Sequence, residues 1–165
     1  MDNPDGGELL VNEFSAAVHH ASTSQHLDEH KTWICSEGID SISSPAELWE
    51  LREDHFPNVQ FLPHVQQHLE TLDPKWFKGA RRLLQQLEAS AAAWDPSIPG
   101  GAHWEAANIR PEHQQARRER WWDDLDGVSR CFELHGNLNR GYGRIYFRLV
   151  PEEKAIRIAH IAEHL

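Results

Sequence analysis

GYGRIYFRLVPEEKAIRIAHIAEHL, residues 141–165, is the stretch that decides the fold. In GRIYFRLV, Ile145, Phe147 and Leu149 point one way and Arg144, Tyr146 and Arg148 the other, because successive strand residues alternate across a sheet. In AIRIAHI, Ile156, Ile158 and His160 share a face opposite Arg157. With Pro151 to Lys154 as the turn, Leu149 falls opposite Ile156, Phe147 opposite Ile158, and Arg148 opposite Arg157. Apolar then meets apolar on one face. On the other face two arginines stand opposite each other, where like charges are destabilising, so the pattern predicts a compensating group.

Upstream, Asp126-Gly127 is a turn signal, and SRCFELH alternates with period two. It places Phe132 and Leu134 in the core and Glu133 and His135 on the polar face. That face would gather Glu133, His135, Arg144, Tyr146, Arg148 and Arg157, a set able to neutralise a phosphate and to supply proton-transfer groups beside it. The plainer alternative is that the arginines splay into water or pair with Glu133, Glu152 or Glu153.

Helical signals dominate before the sheet. Ser44-Pro45-Ala46-Glu47 is a helix start, and the helix LWELRED should stop near His55, because Pro57 disfavours helix in Phe56. A second start falls at Leu62-Pro63, with Val65, Leu69 and Leu72 as one stripe. Asp73 caps a third helix with Pro74 at its first position, and Phe77, Ala80, Leu84, Leu87 and Ala91 recur at three- and four-residue steps. DPSIPGGAHWEAANIRP reads as a long loop, and the residues around Arg120 to Trp122 fit either helix or strand. The fold class is α+β, with N-terminal helices packed on a C-terminal antiparallel sheet.

Ahead of this domain (45–165, with a loop insertion at 95–111) lies an acidic segment, residues 1–44. ELLVNEFSAAVHHA suggests a short amphipathic helix, KTWIC a short strand, and CSEGIDSISS a linker. The net charge of −10 is uneven: residues 1–60 hold 12 acids against Lys31 and Arg52, while residues 129–165 hold 6 bases and 4 acids. An acidic front suggests a basic partner or masking of the chain's own basic face. No apolar run reaches the ~20 residues of a membrane helix, so a cytoplasmic protein without membrane association is expected. Cys35 and Cys131 have no paired spacing and suit a reducing compartment. His26 with His30, and His64 with His68, have helical spacing but no third ligand by sequence, so neither metal nor cofactor is expected. Of the 7 tryptophans, Trp49, Trp76 and Trp94 suit the core, whereas Trp104, Trp121 and Trp122 could stack on bases or a partner.

Helices followed by an antiparallel sheet ending in GYGRIYFRLV and IRIAHIAEHL resemble the RelE/ParE-like toxin superfamily, over roughly residues 62–165 and chiefly 129–165. The resemblance implies a bacterial domain whose active members cut messenger RNA on the ribosome without a metal. In them, basic and aromatic side chains orient the RNA for attack by its own 2′-hydroxyl. It implies Arg144 as the transition-state cation, and Tyr146 or His135 as acid or base. Arg148, Arg157, Arg140 and Glu133 would engage the substrate. The chain would thus be a metal-independent endoribonuclease or RNA-binding domain, with an antitoxin-like protein as a possible partner. The alternative is a non-catalytic interaction or regulatory module of the same fold in a stress or defence system.

Overall fold

The structure, a computed structural model, describes residues 38–139 and 142–163. The helix and strand expected within residues 8–35, the His26–His30 pair and Arg140 lie outside the described residues. Besides the helical residues 38–41, the described residues hold the helices α1 (Pro45–Glu50), α2 (Arg52–His55), α3 (Val65–Glu70) and α4 (Pro74–Ala93), together with seven strands. These are β1 (Val59–Phe61), β2 (Ile109–Pro111), β3 (Trp121–Asp123), β4 (Ser129–Cys131), β5 (Leu134–Asn137), β6 (Gly143–Val150) and β7 (Ala155–Glu163). Five of them form one sheet in the order β1-β7-β6-β5-β2, while β3 and β4 pair only with each other.

The expected helix starts are present. Ser44 accepts from the Glu47 amide while Glu47 reaches back to the Ser43 amide, and Asp73 accepts from the Lys75 amide. These contacts satisfy donors that a helix N-terminus leaves open. Ala80, Leu84, Leu87 and Ala91 of α4 are buried against the apolar sheet face of Ile145, Phe147, Ile156, Ile158 and Ile161.

The sheet is mixed rather than purely antiparallel. Three residues, Val59 to Phe61, pair in parallel with Ile156 to Ile158 along β7. A run this short carries too little alternation to announce itself as a strand. The stretch 35–44 also departs from a plain linker: residues 38–41 are helical, and Ile39 and Ile42 are buried in the core. Arg81 fixes this turn by donating to the Asp40 and Ile42 carbonyls. The loop insertion ends in β2, which extends the sheet beside β5; Pro111 is tolerated there because an edge strand has amides that need no ladder partner.

The β6–β7 register is as the alternation predicts through Arg148↔Arg157, Leu149↔Ile156 and Phe147↔Ile158. The turn is a 3₁₀ turn over Pro151–Glu153 followed by Lys154 in the left-handed region at φ 48°. Beyond it lies a bulge: Phe147 pairs with Ile158 but Tyr146 with His160, so Ala159 is the additional residue. It reverses the parity of β7. His160, expected beside Ile158, instead stands on the face of Tyr146 and Arg157.

The expected strand SRCFELH breaks at Phe132-Glu133. Residues 129–131 pair with β3, and residues 134–137 pair with β6. Phe132 consequently packs on the arginine side, edge-on to Trp122 and beneath the Arg148 guanidinium at 5.9 Å.

Candidate functional site on the polar sheet face

The segment from Glu112 to Phe132 passes over the polar face of β5, β6 and β7. Its local geometry follows from RWWDD read as a strand: Arg120, Trp122 and Asp124 share the inner side, and Trp121, Asp123 and Leu125 the outer. The Phe132 amide donates to the Arg120 carbonyl, and the Asp124 amide to the Val128 carbonyl. Gly127, at φ 76°, supplies the left-handed residue that closes the turn.

Two charged clusters result. In the first, the Asp124 carboxylate, with no exposed surface, lies between the paired arginines. Its Oδ1 accepts from Arg157 Nη1 at 2.7 Å, and its Oδ2 from Arg148 Nε at 2.7 Å. Arg130 stands 3.4 Å from Oδ2. Arg157 also donates to Gln60 and Glu153. This is the compensating group that the facing arginines require. Burial would raise the Asp124 carboxyl, but the Leu125 amide and the Arg157 and Arg148 guanidinium groups outweigh it and hold it below the usual carboxylate range.

In the second cluster, the Tyr146 hydroxyl donates to Glu112 Oε2 at 3.1 Å. The Arg120 guanidinium lies 4.6 Å from the Tyr146 ring centre and 3.4 Å from the same carboxylate. His135, paired with Tyr146 across the strands, brings Nδ1 to 3.9 Å from Glu112. Tyr146 has no exposed surface and Arg120 only 1%. Burial pushes the Tyr146 phenol up, opposed by the Arg120 charge and reinforced by Glu112, so it carries its proton at neutral pH. Burial also works to raise the Glu112 carboxyl, yet the His113 amide, the Tyr146 hydroxyl and the His135 and Arg120 charges bring it below its ordinary range.

A third group adjoins these two. Trp122 stacks on His160, whose ring lies 4.7 Å from that of His68, which in turn is 5.2 Å from His64. The bulge at Ala159 thus brings a third imidazole to the helical His64–His68 pair. His64 Nε2 is already engaged by the Ala159 carbonyl at 2.7 Å. Among the described residues, no group of three or more His, Cys, Asp or Glu side chains is placed to hold a metal ion.

The residues expected from sequence separate as follows. Tyr146 and His135 come together around Glu112, and Arg148 joins Arg157 around Asp124. Arg144 stands on the same face of β6, half-buried, with Nη1 donating to the Gly143 carbonyl. Glu133 turns away to pair with Arg117 at 2.7 Å. With Arg130, Cys131, Leu134, Arg148 and Leu149 it lines a cavity of about 300 Å³. Burial and the Glu133 charge push the Cys131 thiol up, which keeps it protonated and poorly nucleophilic.

Glu112, Arg120 and Asp124 were not foreseen, nor was the face on which His160 stands; Trp122, expected to stack on bases or a partner, stacks on His160. The period-two pattern of RWWDD would have grouped Arg120, Trp122 and Asp124, and no local signal marks Glu112 or the bulge. Trp104 packs edge-on to Phe147, so its expected stacking role is taken by the core, while Trp121 remains 55% exposed. No helix among the described residues is long and apolar enough to cross a membrane. No protein-family model matches the chain, and no curated protein or solved structure matches it either.

Proposed function

We propose that this chain is a RelE-like domain whose polar sheet face holds a phosphodiester backbone, and that it acts on RNA as a metal-independent endoribonuclease or binding domain. The observation that carries this reading is the way in which Arg148 and Arg157 grip Asp124. Each guanidinium takes a different oxygen of one carboxylate, both at 2.7 Å. Two cations fixed opposite each other on adjacent strands form a cradle for an O–X–O unit, and the non-bridging oxygens of a phosphodiester present that unit with a similar charge.

Beside the cradle is a proton-transfer set. Glu112 or His135 takes the proton of a ribose 2′-hydroxyl as its oxygen attacks the adjacent phosphorus. Tyr146, protonated at neutral pH, gives its proton to the departing 5′-oxygen. The products are a 2′,3′-cyclic phosphate and a 5′-hydroxyl, and an arginine such as Arg144 stabilises the charge of the transition state.

One observation favours the second reading, a non-catalytic interaction module in a bacterial stress or defence system. Tyr146 has no exposed surface and the Arg157 side chain is only 5% exposed, so both are covered in this arrangement.

The two readings separate when the purified full chain is incubated with single-stranded RNA and a chelator. Cleavage leaving 2′,3′-cyclic ends, abolished by Arg144→Ala, supports the nuclease. Salt-sensitive binding without cleavage supports an RNA-binding domain. A folded protein that neither binds nor cuts RNA at low salt refutes the RNA reading and leaves the interaction module.

A further inference from the structure

The hairpin that covers the polar face has an unusual attachment. Strands β3 and β4 form a two-stranded sheet of their own and contribute no strand to the five-stranded sheet beneath. What holds the hairpin down is side-chain chemistry: Asp124 between Arg148 and Arg157, and Trp122 against Tyr146 and His160. Its outer side carries Trp121, Leu125 and Val128, each more than half exposed. Lifting it would break these contacts without opening a rung of the main ladder.

We infer that the β3–β4 hairpin is an internal cap whose Asp124 carboxylate occupies the phosphodiester cradle of Arg148 and Arg157, so that nucleic acid and hairpin compete for the same two guanidinium groups. The inference rests on the RNA reading above and adds its regulation. Carboxylate and phosphodiester are both monoanions offering two oxygens, so one cradle accepts either. The hairpin has the advantage of being tethered, which gives its carboxylate a high effective concentration. Nucleic acid gains by engaging further cations along the face. Binding must therefore be weaker, and less dependent on salt, while the hairpin is seated.

The test uses the full chain and a labelled 2′-O-methyl oligouridylate, which has no 2′-hydroxyl with which to cut itself. Asp124→Asn keeps the shape of the side chain, removes its charge and turns one acceptor into a donor. Trp122→Ala loosens the hairpin from the other side and leaves the arginines and Asp124 in place, so it substitutes if Asp124→Asn does not fold. The expected result is binding about tenfold tighter or more at low salt in either variant. For Asp124→Asn, releasing two arginines to two phosphates should steepen the slope of log affinity against log salt by about 1.4. In the wild type, saturating oligonucleotide should speed amide exchange across residues 121–131.

If the wild type binds and the folded variants match it in affinity and slope, with hairpin exchange unchanged, the cap is refuted and the RNA reading stands. If neither the wild type nor any folded variant binds, the RNA reading fails and the cap fails with it.

Discussion

Replacing Asp124 by alanine asks what the buried carboxylate does for stability. The substitution leaves two arginine side chains, 5% and 14% exposed, facing each other across β6 and β7 with their common counter-ion removed. Removing one member of a buried ion pair costs about 3–5 kcal/mol, mostly because the remaining charge stays buried. The low end applies here, since Arg157 keeps Gln60 and the half-exposed Glu153. We expect a loss of about 3 kcal/mol. Urea unfolding followed by tryptophan fluorescence measures it, because Trp122 lies on the same hairpin. A companion variant, Asp124→Leu with Arg148→Met and Arg157→Met, removes charge and counter-charge together. Apolar replacement of whole buried ion clusters is often neutral, so the triple variant should recover to within about 1 kcal/mol of the wild type. Such a recovery would mean that stability alone does not require these charges, as expected if the arginines serve a ligand. A loss below about 1 kcal/mol for Asp124→Ala would refute the bridging geometry. A triple variant no more stable than the single one would assign the cluster to structure.

Three further outcomes follow from the geometry. Gly79→Ala should destabilise by about 1–3 kcal/mol although alanine is the better helix former by about 1 kcal/mol, because the new Cβ would lie 1.8 Å from the Leu138 carbonyl oxygen and force α4 away from the sheet; unchanged or higher stability in urea contradicts this contact. His68 is brought down to about 4, first by burial and then by the His160 and His64 charges. The unfolded chain then binds the proton more readily than the folded one, so stability should decline as pH falls from about 6.5 towards 4. His68→Gln should flatten that limb of a pH series of urea midpoints, and an unchanged slope would count against it. Tyr146→Phe, which removes the hydroxyl bonded to Glu112, should cost about 1 kcal/mol in the same assay and abolish RNA cleavage if Tyr146 is the general acid.

Legibility in the sequence tracked the range of the interactions. The caps at Ser44 and Asp73, the buried stripe of α4 and the Arg148↔Arg157 register depend on residues close in sequence, and local patterns carry them. The need for a counter-ion was also readable, because two arginines at one register position cannot be left facing each other. Which carboxylate would meet it was not. Asp124 lies 24 residues before Arg148 and 33 before Arg157, and neither periodicity nor charge says which loop will cross a given face. The bulge at Ala159 is a single inserted residue in a stretch, AIRIAHI, that otherwise keeps period two, so strict alternation misplaced His160. The break at Phe132-Glu133 was hidden for the same reason, since both halves keep the period of a strand.

The pairing of β7 on both of its sides bears on how the chain reaches its folded state. Its partner β6 is a tight turn away, a hairpin that can close early. Its other partner, β1, is far back in the chain: Gln60 and Arg157, bonded to each other, are 97 residues apart. Ordering a loop of that length is entropically costly, and it is compensated only when the helices between the two strands already pack on the sheet. On a ribosome, β1 and the helices after it must therefore wait, exposed, until β7 has emerged. The Arg148–Arg157 pair needs only the β6–β7 hairpin, but its Gln60 contact forms with β1, so the polar face is complete only once that distant strand has joined.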